Sequence, residues 1–205
     1  MSARLPQLCV IITVGEQRER AEQALASVLE QSAIDRMEII LIDAAAHLPP
    51  LAGSDHPAVR IMPARAGATF GDTRAEAIRQ TGTPIIAFLE DHVEVLPGWA
   101  EAVIAAHEGP WAGVGFEMHN ANRGVGISNA VAIMSYLPYL APARPGVAAW
   151  IPAHNASFKR EVLLSLGDEL PLLLLAEIAL QWRIQAAGHQ LYLEPAARVA
   201  HLMET

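Results

Sequence analysis

Two acidic side chains and an imidazole follow directly after a run of apolar residues in the first half of the chain. The apolar residues 85–89 are typical of a strand that is buried on both faces of a parallel sheet. Glu90, Asp91 and His92 come where this strand ends. In open α/β sheets, ligands bind outside the carboxyl ends of the strands. The triplet is therefore predicted to meet a ligand, to which it offers two carboxylates and a nitrogen.

Polar residues also follow two other apolar runs. Thr13 and Glu16 come at and after the end of residues 8–13, and Asp43 ends the run 37–42. Thr, Asp and Glu also favour helix starts, so each of these sites taken singly is equally compatible with a turn that carries no chemistry. Together with the acidic triplet they make three polar sites after three buried strands, which indicates a shared binding edge.

The elements that position these residues alternate between strand and helix. This alternation predicts βαβ units and an α/β fold, with a mostly parallel central sheet and helices on both faces. Because crossovers in such units are right-handed, the strand ends come to lie along one edge of the sheet. No linker or repeat interrupts the pattern, so residues 1–205 are expected to form a single domain. The predicted strands are 8–13, 37–42, 58–62, 85–89, 111–118, 149–153, 191–193 and 198–201; the predicted helices are 16–31, 71–80, 99–107, 125–140, 159–166 and 173–187.

The composition excludes several classes of protein. With 205 residues, of which 52% are hydrophobic and 18% charged, the chain can bury a core of ordinary size. A net charge of −8 argues against a nucleic-acid partner and against attachment to anionic lipid through a basic face. The single cysteine, Cys9, allows no internal disulfide, which favours a reducing compartment.

The same sequence carries no signal for membrane insertion. The first residues lack the basic start and apolar core of a signal peptide. No window approaches the roughly 18 to 20 apolar residues that a membrane-spanning helix needs. We expect a soluble protein without a transmembrane segment, located in the cytoplasm or peripherally at the cytoplasmic face of a membrane.

Five segments together resemble family 2 glycosyltransferases with the GT-A fold, in the order that the family has them. Residues 10–13, with the helix that ends at 26–32, are similar to the family's first strand and helix. Residues 38–43 are similar to its second strand, and residues 87–92 with 97–99 match its acidic metal motif and the Pro-Gly-Trp that follows. Residues 176–188 and the closing Pro195 and His201 resemble its carboxy-terminal elements. The resemblance covers nearly the whole chain and implies a nucleotide-sugar-binding half, residues 1–99, and an acceptor-side half, residues 100–205.

The resemblance implies a nucleotide-sugar donor, of the UDP type, held through a divalent metal. His92 stands at the metal-binding position of the motif, where the family usually has aspartate, and His201 is a candidate second ligand. Imidazole suits Mn²⁺ better than Mg²⁺, so manganese is the expected ion. Glycosyltransferases of this fold that act on polypeptides carry a similar Asp-x-His motif. The residues implied in donor binding are Thr13, Glu16, Asp43, Glu90, Asp91 and Arg183.

The resemblance also implies a catalytic base and an acceptor pocket. Glu177 matches the family's catalytic aspartate, which takes the proton from the acceptor hydroxyl during an inverting transfer. His154 and Asn155 match an element near the sugar and the acceptor, and Trp182 follows Glu177 on the same predicted helix, 173–187. The acceptor is expected to be a saccharide, a lipid-linked compound or another molecule with a hydroxyl group.

Several positions depart from the family pattern and leave alternatives open. Alanines at 44–46 replace a second acid and the residues after it, Ala176 replaces the acid before Glu177, and Arg74-Ala75 stands where the family has Arg-Asn. These losses motivate a second hypothesis, a catalytically impaired nucleotide-sugar-binding or partner protein. A nucleotidyltransferase and a dinucleotide-binding dehydrogenase are disfavoured, because the chain lacks the glycine-rich phosphate loop that each requires after a strand.

Overall fold

The computed structural model describes residues 5–122, 124 and 126–203, which fold around one nine-stranded sheet. In chain order, the strands are β1 (Leu8–Val14), β2 (Met37–Asp43), β3 (Val59–Pro63), β4 (Ile85–Glu90), β5 (Val93–Val95), β6 (Gly113–Asn120), β7 (Gly146–Ala148), β8 (Ala156–Lys159) and β9 (Leu191–His201). The helices are α1 (Arg18–Leu29), α2 (Phe70–Gln80), α3 (Trp99–Ala106), α4 (Gly126–Tyr136), α5 (Arg160–Ser165), α6 (Leu170–Leu173) and α7 (Glu177–Ala186).

The sheet has the order β3-β2-β1-β4-β8-β6-β9-β5, with β7 paired to β9. From the strand pairings, β1, β2, β3, β4, β6 and β9 run in one direction, while β5, β7 and β8 run against them. Thr13 lies opposite Glu90 and Val14 lies opposite Asp43, so the ends of β1, β2 and β4 are level. The predicted mostly parallel sheet is confirmed.

Both faces of the sheet are covered by helices. Alternate residues of β1 enter different cores: Leu8, Val10 and Ile12 pack with α1 and α3, while Cys9 and Ile11 pack with α2 and α7. A strand buried on both faces reads as an uninterrupted apolar run, and that run is the signal from which these strands were predicted. Burying each of these aliphatic side chains contributes about 1.5–3 kcal/mol. No helix in the described ranges is long and apolar enough to cross a membrane.

The predicted strand at 149–153 is wrong. The strands of this region are β7 and β8, which lie on either side of it. Pro152 has no N–H to give to a sheet, and the backbone N–H and C=O of Ile151 bond to the side chain of Gln181 instead, at 2.8 and 3.0 Å. An apolar segment that lacks free backbone groups cannot join the sheet.

The carboxy-terminal elements differ from the prediction in two further ways. The helix predicted over 173–187 is divided into α6 and α7, and Glu177 is the first residue of α7. The two strands predicted at 191–193 and 198–201 form one strand, β9, in which Glu194 and Arg198 pair with consecutive residues of β6. Residues 195–197 bulge out between them. Pro195 marks this interruption, which in the sequence resembles the end of a strand.

Strand β5 was not predicted, and three residues are too few for a periodic signal. It pairs with β9, with Val93 opposite His201.

Pro97 and Gly98 then turn the chain into α3, and Gly98 takes a φ of 85° that favours glycine. Trp99 follows, fully buried and edge-on to Phe116 with ring centroids 5.4 Å apart, so this tryptophan belongs to the core.

His107, the residue that follows α3, should make the folded protein sensitive to acid. Its Nε2 lies 2.9 Å from the buried Ser157 Oγ, and burial, with Lys159 nearby, lowers the pKa of His107 from 6.5 to about 4. The unfolded chain therefore takes up a proton at a pH where the folded chain does not. Stability is complete above the unfolded pKa and is lost as the pH falls toward the folded one. In the unmodified protein, His107 should account for about 2 kcal/mol of the fall in the free energy of unfolding between about pH 8 and about pH 5. The variant His107→Gln has no group that titrates there, so its free energy of unfolding should fall by about 2 kcal/mol less over the same range. Urea unfolding at each pH measures the difference. An unchanged pH dependence would rule out a neutral, buried His107.

Candidate active site

The acidic motif lies at the carboxyl end of β4, and the pairing of β5 with β9 brings the end of the chain to it. Glu90 closes β4, and Asp91 and His92 form the turn into β5. Because Val93 pairs with His201, and Leu202 N donates to the backbone oxygen of His92 at 3.0 Å, the His201 side chain is placed beside the motif. This pairing brings together Glu90 and His201, which are 111 positions apart in the chain.

Glu90, His92 and His201 form a cluster that could hold a metal ion, the one such group found in the described part of the chain. Their ligand atoms all lie within 4.8 Å of one another. Glu90 Oε2 is 3.2 Å from His201 Nε2 and 3.9 Å from His92 Nε2. The two imidazole rings meet at 86°, with centroids 4.7 Å apart.

The chemistry of this cluster fits a first-row divalent metal. Two imidazoles and one carboxylate suit Mn²⁺ and its neighbours, whereas Mg²⁺ prefers oxygen ligands. His201 is 6% exposed, and its Nδ1 has no hydrogen-bond partner among the described residues. A buried polar atom without a partner is costly, and Nδ1 is not the atom of His201 that faces Glu90, which is Nε2.

Neighbouring side chains hold the cluster in place. Asn155 Nδ2 donates to Glu90 Oε2 at 2.6 Å, and its Oδ1 accepts from Glu90 N at 3.1 Å. Tyr136 Oη lies 3.1 Å from His201 Nε2. Asp91 Oδ1 lies 3.2 Å from His92 Nδ1, and Asp91 Oδ2 accepts from Gly15 N at 3.2 Å. Such carboxylate–histidine contacts orient the ring of a ligating histidine.

The ionisation of these groups follows from the contacts. Burial alone would raise the pKa of Glu90, but hydrogen bonds with His201 and Asn155 and the nearby His92 lower it to about 2. The hydrogen bond to Asp91 raises the pKa of His92 against the effect of burial. Burial alone would raise the pKa of Asp91, but its bonds to His92 and Gly15 N lower it. The carboxylates of Glu90 and Asp91 are therefore both ionised at the carboxyl end of β4.

Thr13 and Arg74 share a small cleft with the acidic motif. The cleft measures about 190 Å³ and is lined by Thr13, Phe70, Arg74, Leu89, Glu90, Asp91 and His92. Thr13 Oγ1 is buried with no hydrogen-bond partner among the described residues. Arg74 is 2% exposed, and its guanidinium carbon lies 3.9 Å from the ring centroid of Phe70 and 4.8 Å from that of Phe88. Burial lowers the pKa of Arg74 to about 10, against the effect of Glu177 and Glu90, so it remains a cation.

Sequence reasoning missed the role of Arg74 and of Arg18. Arg74 was visible as the arginine of the family's Arg-Asn element, but its packing between two phenylalanines has no local signal. Arg18 donates to both carboxylate oxygens of Asp43, at 2.9 and 3.2 Å, and to Pro49 O at 2.7 Å. Asp43 Oδ1 also accepts from Ala45 N at 2.9 Å. The carboxylate of Asp43, which was predicted to bind the donor, is thus already paired, whereas Glu16 is exposed in the turn after β1.

Glu177 lies in a second, larger pocket. Its carboxylate contacts His154 Nδ1, and its side chain is 16% exposed. The pocket measures about 450 Å³ and is lined by Ser135, Tyr136, Tyr139, Trp150, Ile151, Pro152, Ala153, His154, Glu177, Ile178 and Gln181. Tyr136 belongs to this lining and also contacts His201, so the pocket and the metal-type cluster share one wall. Burial, with Glu90 and Glu177 nearby, raises the pKa of Tyr136 to about 12.

Three further residues that the resemblance implied lie outside the lining of this pocket: Asn155, Trp182 and Arg183. Asn155 is fully buried and donates a hydrogen bond to Glu90, so it supports the acidic motif and does not line the pocket. Trp182 is 58% exposed and meets Trp150 edge-on, with ring centroids 5.9 Å apart. Arg183, predicted to bind the donor, forms a half-exposed ion pair with Glu169 at 3.1 Å, and the cation in the cleft is Arg74 instead.

A pocket of similar volume, about 460 Å³, opens at the opposite end of β4. Its lining includes Pro84, His107, Lys159 and Arg160, and none of the residues of the acidic motif. Ligands of open α/β sheets bind at the carboxyl ends of the strands, where the motif lies. We therefore assign the candidate active site to the motif and the pocket of Glu177.

Comparison with known proteins identifies a family. A family model described as "Glycosyl transferase family 2" matches residues 9–167 of the 205. The matched segment includes the acidic motif and His154, and it ends before Glu177 and His201. No curated protein matches the chain at a significant level.

A solved structure, "Crystal structure of GalNAc-T7 with UDP, GalNAc and Mn2+", has a similar fold. It superposes with a TM-score of 0.72 at 13% sequence identity, over 98% of this chain and 44% of the other. The chain thus spans less than half the length of that protein. At this identity the likeness concerns the fold, which is of the GT-A type. With the family match over residues 9–167, it follows that the chain belongs to glycosyltransferase family 2.

Proposed function

We propose that this protein transfers a sugar from a UDP-type nucleotide donor to a hydroxyl acceptor, with inversion and with the help of a divalent metal. The observation that carries the proposal is the shared wall of Tyr136, which joins the Glu90–His92–His201 cluster to the pocket of Glu177. A donor site and an acceptor site must adjoin in this way for transfer to occur. The UDP and Mn²⁺ of the similar GalNAc-T7 structure support the choice of donor and metal.

Residues 1–99 would form the nucleotide-sugar-binding half. Glu90, His92 and His201 would hold the metal, with Mn²⁺ preferred to Mg²⁺ because two of the three ligands are imidazoles. When bound, the ion supplies positive charge that neutralises the diphosphate. Arg74 is a second, permanent cation in the cleft. The remaining donor contacts would come from Thr13, Glu16, Asp43 and Asp91.

Residues 100–205 would form the acceptor-side half, in which Glu177 is the general base. Its carboxylate would take the proton from the acceptor hydroxyl as that oxygen bonds to the anomeric carbon. The bond from the anomeric carbon to the diphosphate oxygen breaks in the same step, on the opposite face of the sugar. His154 contacts the carboxylate and would orient it.

The alternative is a protein of this family that binds nucleotide sugars without transferring them. The alanines at 44–46 and at 176 favour it, because each removes a polar contact that the family usually has. The pairing of Asp43 with Arg18 adds a further departure at the donor side.

Calorimetry with UDP and Mn²⁺, followed by an assay of UDP-sugar hydrolysis, tests the proposal. We expect UDP to bind only when the metal is present and UDP-sugars to be hydrolysed slowly, since water can replace the acceptor. Binding without any hydrolysis or transfer would favour the alternative. If no nucleotide diphosphate binds with any divalent metal, both hypotheses are wrong.

A further inference from the structure

We infer that the hydroxyl of Tyr136 competes with the metal ion for one nitrogen of His201, and that metal binding releases this hydroxyl into the pocket of Glu177. Tyr136 is then a positioning residue that links the metal-type cluster to that pocket. The inference rests on the proposed function, because it presumes that Glu90, His92 and His201 bind a divalent metal. It follows from the atom of His201 that the tyrosine contacts.

His201 turns only one of its two nitrogens toward the cluster. Its Nε2 lies 3.2 Å from Glu90 Oε2, whereas its Nδ1 is buried and has no hydrogen-bond partner among the described residues. The Nε2 of His92 lies 3.9 Å from the same oxygen of Glu90. A metal ion held by Glu90 and the two histidines would therefore bind His201 through Nε2.

Tyr136 contacts this same nitrogen. Its Oη lies 3.1 Å from His201 Nε2, and this is the one hydrogen bond of the hydroxyl within the described part of the chain. An imidazole nitrogen carries either one hydrogen or one free lone pair. Whichever of the two Nε2 carries, Glu90 and Tyr136 are the groups that it serves when no metal is bound.

Metal binding must break the hydrogen bond between Tyr136 and His201. A ligating nitrogen directs its lone pair at the ion, so it can neither donate a hydrogen to the tyrosine oxygen nor accept one from it. Glu90 keeps a place at the ion, because its carboxylate is itself a candidate ligand. Tyr136 is not a member of the cluster, so its hydroxyl is the group that is displaced.

The displaced hydroxyl has room on the side of Glu177. Tyr136 lines the pocket of about 450 Å³ that contains this carboxylate. Besides burial, the charges of Glu90 and Glu177 raise the pKa of Tyr136, so the hydroxyl lies within electrostatic reach of both carboxylates. Once released, it can donate to a ligand bound beside Glu177. The pocket thus gains a hydrogen-bonding group when the metal is bound.

Calorimetry of Mn²⁺ binding to the full chain and to Tyr136→Phe, each with and without UDP, tests the inference. Phenylalanine keeps the ring but has no hydroxyl that the metal must displace. The variant should bind Mn²⁺ about 2- to 12-fold more tightly, which is the affinity equivalent of one neutral hydrogen bond. Equal or weaker binding by Tyr136→Phe would overturn the inference, because a tyrosine that supports a ligating His201, or ligates the metal itself, favours metal binding.

Tyr139→Phe is the matched control. Tyr139 lines the same pocket, and its hydroxyl makes no hydrogen bond within the residues that the structure describes. Its replacement should leave the affinity for Mn²⁺ unchanged. A gain equal to that of Tyr136→Phe would assign the effect to the polarity of the pocket and refute competition at His201.

The near-ultraviolet absorption of tyrosine reports the release of the hydroxyl itself. The chain has three tyrosines, so the contribution of one can be isolated by substitution. Adding Mn²⁺ without nucleotide should change the tyrosine absorption of the unmodified protein and of Tyr139→Phe, and this change should be missing in Tyr136→Phe. If bound Mn²⁺ leaves the spectrum of the unmodified protein unaltered, Tyr136 keeps its surroundings and the inference is wrong.

Failure of this inference is distinguishable from failure of the proposed function. Metal-dependent UDP binding with hydrolysis of UDP-sugars, but without tighter Mn²⁺ binding by Tyr136→Phe, refutes the competition and leaves the glycosyltransferase proposal standing. Tighter Mn²⁺ binding by Tyr136→Phe without any hydrolysis or transfer keeps the inference and refutes sugar transfer. If Mn²⁺ binds neither with nor without UDP, both are wrong.

Discussion

Replacing Glu177 with glutamine should lower kcat for sugar transfer by about a hundred- to ten-thousand-fold, the range expected for a general base. Glutamine keeps the size of the side chain and can still bond to His154, but it cannot accept a proton from the acceptor hydroxyl. The affinity for UDP with Mn²⁺ should be unchanged, because the metal-type cluster contains no atom of Glu177. Initial rates of transfer and calorimetry with UDP measure the two quantities separately.

Glu169→Gln is the matched control for this substitution. Glu169 is 59% exposed and forms an ion pair with Arg183, outside the lining of the pocket. Its replacement should leave kcat within about twofold, because exposed ion pairs contribute little. If Glu177→Gln retains the rate of Glu169→Gln, another group must take the proton, and the role given to Glu177 is wrong.

Replacing His92 with alanine should weaken metal-dependent UDP binding by more than about a hundredfold. Loss of a residue that only orients a metal ligand already costs about 10- to 100-fold in affinity, and loss of a ligand is expected to cost more. His92 is 28% exposed, so its truncation leaves the core intact, and the melting temperature in the absence of metal should change little. Titration with Mn²⁺ and UDP measures the effect.

Two further variants sharpen this result. His189→Ala removes an exposed histidine in the turn between α7 and β9 and should bind Mn²⁺ and UDP like the unmodified protein. His92→Asp restores the aspartate that the family usually has and should shift the preference from Mn²⁺ toward Mg²⁺, because oxygen replaces nitrogen as a ligand. Unchanged metal affinity in His92→Ala would exclude this histidine as a ligand.

The half of the fold that we propose to bind the donor was largely predictable from the sequence, because its signals are local. The apolar runs of β1, β2 and β4 are long, and the ends of parallel strands meet at one edge whatever their order in the sheet. That rule alone predicted that Thr13, Asp43 and Glu90 come close together, and the register of the strands agrees. The half that we propose to bind the acceptor carries short strands and irregular turns. There the strand predicted at 149–153 was wrong, and the bounds of α7 and β9 differed from the prediction, whereas α3 and α5 lie where helices were predicted.

The sequence by itself therefore determined the buried strands, the edge where their polar ends gather and, through the family's motifs, which residues to suspect. Only the tertiary structure decided the partners of those residues: His201 beside Glu90, Asn155 behind it, Arg18 on Asp43 and Glu177 against His154. The physical reason is that the strand pairings that make these contacts join segments far apart in the chain. A three-residue strand such as β5 leaves no periodic pattern, although its pairing with β9 brings His201 to the acidic motif.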